Sequence, residues 1–336
     1  MIVAILGPGS LGQTFAMTLA RNQIPVILVG SAERVDGLIQ HGIQLSGMDH
    51  GHMAIHALPD KFEDVEPGQI MATSYLPGAF PVDSLLVSTK AHQLRKALDR
   101  VAESHPDLVL GFQNGITKDE ALTEHFGPER VGGAVTIIGA DRQEDGSVYI
   151  SGAGSTFIGP LPSTSHARFH EQAKHIIDAL NQSGYPAQWR TDIISVEWAK
   201  ALMACATFGV AVLIRGTVGD IFSHASWAEC FLDLIEEAGT IADALQIPLP
   251  DLPGFPVHYY RRESRAVVIA KLKESASGLR TVRVSMLQDL LAGRDLEVDE
   301  VFGGLLDYAE KLHVPVPRLA FTYQIIRGFH ESRRPT

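Results

Sequence analysis

The 336-residue chain is long enough for about two domains of ordinary size. At 45% hydrophobic and 20% charged residues, with mean hydropathy +0.07, it has the composition of a soluble globular protein. A net charge of −11 and a pI near 5.7 speak against a nucleic-acid or anionic-membrane surface and favour a small-molecule partner.

The chain enters structure at once. MIVAILGPGSLG has no basic n-region and no small-residue cleavage site. Through the first half, apolar strand-like runs alternate with helical patterns. The strands are expected at 2–6, 25–29, 83–89, 108–113 and 133–138, and the helices at 11–21, 33–40, 92–103 and 118–125. Near-continuous apolar runs suit parallel strands covered on both faces, and the alternation means βαβ units in a doubly wound sheet. GIQLSG, HMAIHAL, SVYISG and STFIG read as extra strands decorating it. Beyond about residue 190 the pattern is helical throughout: 193–214, 227–245, 260–274, 284–291, 300–312 and 321–334, with the Pro-rich loop 247–256 inside it. The expected architecture is therefore a Rossmann-type α/β domain over 1–190 and an all-helical domain over 191–336. A cleft between two such domains is a favoured place for a ligand.

GPGSLG (7–12) follows the first strand and opens the first helix, the context that gives a GxGxxG turn its meaning. Gly7 permits the tight turn, Gly9 lets the backbone approach a pyrophosphate, and Gly12 allows the helix to pack closely on the sheet. The helix N-terminus faces the anion. Cofactor contact is expected along Gly7, Pro8, Gly9, Ser10, Leu11 and Gly12. An NAD site usually carries an acid at the end of the second strand. Here that strand runs into VGSAER (29–34), and Ser31 and Arg34 suit the 2′-phosphate of NADP (NADPH) instead. Glu33 argues against this, and Arg34 as a solvated helix-start charge is the competing reading.

The segment WAKALMACATFGVAVLI (198–214) carries one formal charge, Lys200, in an otherwise apolar run. Its apolar core, 201–214, falls short of the roughly 20 residues a membrane span needs and reads as a buried helix. A lysine there either snorkels to water or is held inside for chemistry. Cys205 and Cys230 lie in apolar helical patterns, so neither a disulfide framework nor a zinc set is suggested, and a cytoplasmic location follows.

Taken in order, GPGSLG, STKAHQL (88–94), FQNGI (112–116), EWAKAL (197–202) and SMLQDLLAGRDLEVD (285–299) resemble the ketopantoate reductases over nearly the whole chain. The resemblance implies a Rossmann domain, a helical domain like the C-terminal domain of 6-phosphogluconate dehydrogenases, and reduction of 2-dehydropantoate to pantoate with NADPH. It makes Lys200 the catalytic proton donor. That role suits a hydride transfer, which leaves negative charge on a ketone oxygen that an ammonium both stabilises and protonates. Glu297 matches the family's active-site glutamate, able to keep the lysine charged or to bind the nicotinamide ribose; a solvated helix-start carboxylate is its bland alternative. Asn114 matches an asparagine touching cofactor and substrate, against a plain Asn-Gly turn. Lys90 matches a cofactor-side lysine, Ser285 a serine for the substrate carboxylate, with a helix N-cap as the alternative. Ala140 matches a backbone contact to the cofactor.

Three positions depart from the family. Ala204, Phe208 and Val218 stand where typical members carry substrate-binding asparagines. The substrate pocket is expected to have an apolar wall there, which turns attention to a 2-oxo acid less polar than ketopantoate. His50, His52 and His56 concentrate in MDHGHMAIH without a cysteine or carboxylate beside them, so no metal is expected. HYYRRESR (258–265) is too short a basic patch for nucleic acid in so acidic a chain. The expected function is NADPH-dependent reduction of a 2-oxo acid in the cytoplasm, with a homodimer compatible with the helical domain. The rivals are a paralogous reductase for a more apolar carbonyl compound and an NADPH sensor without turnover.

Overall fold

The computed structural model describes residues 1–333. The chain divides into two compact units: Met1–Gln113 with Lys118–Ile193, and Asn114–Thr117 with Ile194–Thr336. The short stretch Asn114–Thr117, read in sequence as part of the first domain, belongs to the second unit.

In the first unit the strands are β1 (Val3–Leu6), β2 (Val26–Val29), β3 (Ile43–Gly47), β4 (Gly51–Met53), β5 (His56–Ala57), β6 (Ile70–Thr73), β7 (Ser84–Val87), β8 (Leu108–Gly111), β9 (Val131–Thr136), β10 (Gly139–Arg142), β11 (Val148–Gly152), β12 (Thr156–Pro160) and β13 (Ala187–Trp189). Its helices are α1 (Ser10–Arg21), α2 (Ala32–His41), α3 (Leu94–Leu98), α4 (Lys118–Phe126) and α5 (Phe169–Gln182). Nine strands form one sheet in the order β13-β12-β9-β8-β7-β1-β2-β6-β5. β1 pairs in parallel with β2 on one side and β7 on the other, so the strand order reverses between β1 and β7. In an open α/β sheet the crevice beyond the carboxyl ends of the strands at such a reversal is where ligands bind. β12 runs antiparallel to β9 at the far side.

The strands are apolar because both faces are covered. Alternate residues go to opposite layers, as the two-residue period of a strand requires. Val3, Ile5, Val26 and Leu28 join Phe15 and Leu19 of α1 and Ile176 and Leu180 of α5. Ala4, Leu6, Ile27 and Val29 join Leu94 and Leu98 of α3 and Leu122 of α4. A second, four-stranded sheet, β10-β11-β3-β4, adds Ile43, Leu45, Val148 and Ile150 to the α1 side.

Several expectations shift here. HMAIHAL is two strands in two sheets, not one: β4 is an edge of the small sheet and β5 an edge of the large one. The helix expected over 92–103 is a five-residue helix, α3, between two 3₁₀ turns, Ala91–Gln93 and Asp99–Val101. The structure adds β6, β10, β13, α5 and, in the second unit, a short helix over Val218–Ser223 to the expected elements.

The second unit is helical: α6 (Ile193–Ile214), α7 (Val218–Ser223), α8 (Ala225–Ala244), α9 (Val257–Arg262), α10 (Arg265–Ser275), α11 (Ser285–Leu291), α12 (Gly304–Lys311) and α13 (Pro317–Ser332), with a π-helical turn over Asp299–Gly303 ahead of α12. α6 is long and apolar enough to cross a membrane by length and composition, but 78% of its most apolar window is buried within the fold. A helix that is apolar on all sides belongs in a core. Gly209 lets neighbours come close: a Cβ there would sit 3.0 Å from Thr322 of α13 and 3.2 Å from Leu234 of α8. Buried Glu237 of α8 accepts hydrogen bonds from the backbone amides of Arg318 and Leu319 at the N-terminus of α13 (3.1 and 2.8 Å), where a carboxylate complements the helix dipole. The expected helix over 260–274 breaks into α9 and α10 around Glu263 and Ser264. Of the helix expected over 321–334, Arg334 lies outside the described residues.

Candidate active site

The glycine turn sits at the head of β1, beside the end of β7. Gly7 has φ +100°, and a Cβ on it would collide with the Thr89 backbone. A Cβ on Gly12 would run into the Gly7 carbonyl and lie 2.7 Å from Ser88 Oγ. Gly9 differs: a Cβ there would meet nothing within 4 Å. Gly7 and Gly12 are thus needed by the fold itself, whereas Gly9 opens onto free space in front of the α1 N-terminus, whose first amides have no partner inside the helix. Room for a pyrophosphate is what a dinucleotide turn requires, and the residues present fit that group. Ser88 Oγ donates to the Gly7 carbonyl (2.8 Å) and locks the two crevice-forming strand ends together.

Arg34, in the first turn of α2, folds back onto this turn. Its Nε and Nη2 both donate to the Pro8 carbonyl at 3.1 Å, and Gln13 Nε2 donates to the same oxygen at 3.2 Å. Arg34 is therefore not a solvated helix-start charge. Burial first, and then the nearby positive charge of Arg142, lower its pKa to about 10. Ser31 is the N-cap of α2 and accepts from the Arg34 amide at 3.4 Å. Glu33, beside them, is exposed. Lys90 stands half-buried ahead of the 3₁₀ turn that follows β7, and half-buried Ala140 lies at a register shift in β10. No local pattern marks Arg142, which ends β10 in the small sheet and is brought near Arg34 by the fold.

The other expected site residues share the helical unit. Asn114 Nδ2 donates to Glu297 Oε2 at 3.3 Å, and Glu297 is only 4% exposed, so it is no solvated helix-start carboxylate. Lys200 is half-buried on α6, between buried Glu197 one turn before and buried Ala204 one turn after. Ala204, Phe208 and Val218 are 2%, 8% and 8% exposed. Ser285 is the first residue of α11, with Val284 at the cap position, so it does not act as an N-cap.

The weaker candidates resolve into structural roles. His52 Nε2 lies 3.0 Å from the His41 carbonyl, while His50 and His56 fall outside that strand, His56 in the other sheet. His224 stacks against Trp227 and His258 pairs with Asp251 (3.1 Å). Arg261 of HYYRRESR is paired with Asp243 and Glu236.

A glycine turn at the reversal point of a doubly wound sheet, followed by an all-helical unit with a lysine and a buried glutamate paired with a half-buried asparagine, defines a dinucleotide-dependent oxidoreductase architecture. Two family models match, one described as Ketopantoate reductase PanE/ApbA over residues 3–163 and one as its C-terminal part over 192–330, and the chain belongs to that family. It is 26% identical over 329 residues to the 2-dehydropantoate 2-reductase of Pyrococcus horikoshii, covering 98% of this chain and 97% of that one. Among solved structures it is similar to a ternary complex of D-mandelate dehydrogenase with NADH and anilino(oxo)acetate, at TM-score 0.81 and 21% identity over 99% of each chain. It is also similar to 2-dehydropantoate 2-reductase from Methylococcus capsulatus, at TM-score 0.75 and 18% identity over 100% and 99%.

Proposed function

We propose that the protein reduces a 2-oxo acid to the 2-hydroxy acid in the manner of ketopantoate reductases, with NADPH as hydride source. The first unit holds the dinucleotide and the second carries the acid–base chemistry. The observation that carries this is the buried Glu297 hydrogen-bonded to Asn114 in the unit that also holds Lys200. Keeping a carboxylate away from water costs several kcal/mol unless it is compensated. Glu297 receives a compensating hydrogen bond from Asn114, a second residue of the expected site, whereas buried Glu237 is compensated by the α13 backbone.

A bound reduced nicotinamide supplies the hydride. The ammonium of Lys200 meets the negative charge that develops on the ketone oxygen and delivers the proton to it. Glu297 favours the charged form of that lysine. Asn114, tied to Glu297, offers an amide to cofactor and substrate together, and Ser285 offers a hydroxyl to the substrate carboxylate. In the first unit, Gly9 leaves space for the pyrophosphate, and Lys90 and the Ala140 backbone serve the cofactor.

Preference for NADPH is supported by Arg34 held at the Pro8 carbonyl with the positive charge of Arg142 nearby, since guanidiniums suit a phosphate. The D-mandelate dehydrogenase was solved with NADH, so the ratio of Kd values for the two dinucleotides is the decisive measurement. Arg34→Ala is expected to weaken NADPH selectively.

The same structure favours a second reading of the substrate. Its companion ligand, anilino(oxo)acetate, is an oxamate that carries a phenyl group beside an oxo-carboxylate and so has the outline of an aromatic 2-oxo acid. Ala204, Phe208 and Val218 would give such a group an apolar wall where amides would hold a hydroxyl. A 2-oxo acid with an apolar side chain is then preferred over ketopantoate. Comparing kcat/KM for the two substrates tests this reading. The burial of α6 fits a core helix rather than a membrane span.

A further inference from the structure

The loop that follows β8 is seated on the helical unit by its backbone shape. Gly115 has φ +94°, a conformation that side chains rarely adopt, and a Cβ on it would run into the carbonyl oxygen of Glu300. The next two residues rest on another glycine: a Cβ on Gly304 would lie 3.1 Å from Ile116 Cγ1 and 3.1 Å from Thr117 Cγ2. Glu300 belongs to the π-helical turn Asp299–Gly303, which begins two residues after Glu297. Single π turns interrupt an otherwise α-helical ladder and recur at functional sites. On one side of Gly115 is thus the asparagine bonded to Glu297, and on the other a pair of side chains packed over Gly304.

We propose that Gly115 is a positioning residue: its bare Cα lets the loop dock on the Glu300 carbonyl, and this seat holds Asn114 within hydrogen-bonding distance of Glu297. The inference rests on the reading that Asn114 and Glu297 work in the active site. The Asn114–Glu297 bond, at 3.3 Å, is already longer than the usual N–H···O range of about 2.7–3.2 Å, and a further lift of the loop by about 1 Å would break it. The obstacle is a main-chain oxygen inside a helical turn, which cannot swing aside as a flexible side chain would. A methyl at 115 must therefore lift the loop, and a lift of about 1 Å at a group that orients reactants costs up to about 100-fold in rate. Gly115 itself touches no reactant. Its effect is transmitted through Asn114.

The test is a double-mutant cycle on the full chain, measuring kcat/KM for dinucleotide-dependent reduction of a 2-oxo acid together with Tm. Gly115→Ala is expected to lower kcat/KM by about 10- to 100-fold. In the Asn114→Ala background the same change is expected to cost less than about threefold more, because the group it positions is already gone. The Tm loss from Gly115→Ala should be the same in both backgrounds. An equal kcat/KM loss in both backgrounds would mean a general structural role and would overturn the proposal. If Asn114→Ala and Glu297→Gln leave kcat/KM at the wild-type value, the active-site reading falls and the proposal falls with it. Should Gly115→Ala not fold, Gly304→Ala makes the milder displacement, since its Cβ meets only side-chain atoms, and the same non-additivity is required of it.

Discussion

Two glycines three residues apart should respond to the same methyl group in opposite ways. In Gly12→Ala the new Cβ meets the Gly7 carbonyl and lies 2.7 Å from Ser88 Oγ, so the 2.8 Å bond from Ser88 to Gly7 must give way. Overpacking costs about 1–3 kcal/mol and the lost hydrogen bond about 1, against a gain of about 0.5–1 from replacing glycine inside a helix. The net loss of about 1–3 kcal/mol lowers Tm by about 2–4 °C per kcal/mol for a unit of this size. In Gly9→Ala the Cβ enters open space, and the backbone there, φ −76° and ψ −167°, accepts any residue. Only the weaker helix cap is felt, about 1 kcal/mol at most. Dinucleotide binding should behave in the reverse order. The space in front of Gly9 is where the pyrophosphate is expected, and a charge-assisted hydrogen bond is worth about 1.5–3 kcal/mol, so displacing the phosphates from one amide raises Kd about 10- to 150-fold. Fluorescence titration with NADPH and a thermal melt on each variant give both quantities. A folded Gly9→Ala protein that binds NADPH within about threefold of wild type would refute the assignment of the pyrophosphate to this turn.

Lys200→Ala should lower kcat by about 10²–10⁴ while NADPH still binds, the usual worth of a positioned acid with charge stabilisation; near-normal turnover would return the lysine to a surface role. Arg34→Ala should raise Kd for NADPH by about tenfold or more and leave NADH nearly unchanged, as loss of a charge-assisted phosphate contact requires. Equal effects on both dinucleotides would mean that Arg34 only braces the Pro8 carbonyl. Ala204→Asn with Phe208→Asn should move substrate preference towards ketopantoate. If those side chains face only the core, each unsatisfied amide instead costs about 1–3 kcal/mol of stability with no change in preference.

The central strands were legible because each is a short, continuous apolar run, and a parallel strand covered on both faces leaves no other pattern. The glycine turn was legible for a related reason: its three glycines have separate mechanical duties and sit between a strand and a helix. α5 does carry a sequence signal, Phe169, Ala173, Ile176 and Leu180 at helical spacing, but it lies within a stretch rich in histidines and polar residues that dilutes it. β13 and β5 are three and two residues long, too short for any period to show. The small sheet is built from pieces about a hundred residues apart, a pairing that no local pattern announces. The same is true of the site. Lys200 stood out as a charge in an apolar helix. Glu297 and Asn114 entered by resemblance, and their hydrogen bond depends on a four-residue loop joining the helical unit. Arg142 and Gly115 act through what the fold brings to them, so their types alone carried no message.

The most direct measurement follows the loss of reduced-nicotinamide absorbance when the purified protein is given NADPH and a panel of 2-oxo acids, ketopantoate and aromatic or branched analogues among them, with Lys200→Ala in parallel. The account predicts turnover by the wild type, a higher kcat/KM for the apolar side chains than for ketopantoate, and near-complete loss in Lys200→Ala. Tight NADPH binding with no turnover of any member of the panel would contradict it and identify a nucleotide-binding protein without this catalytic activity.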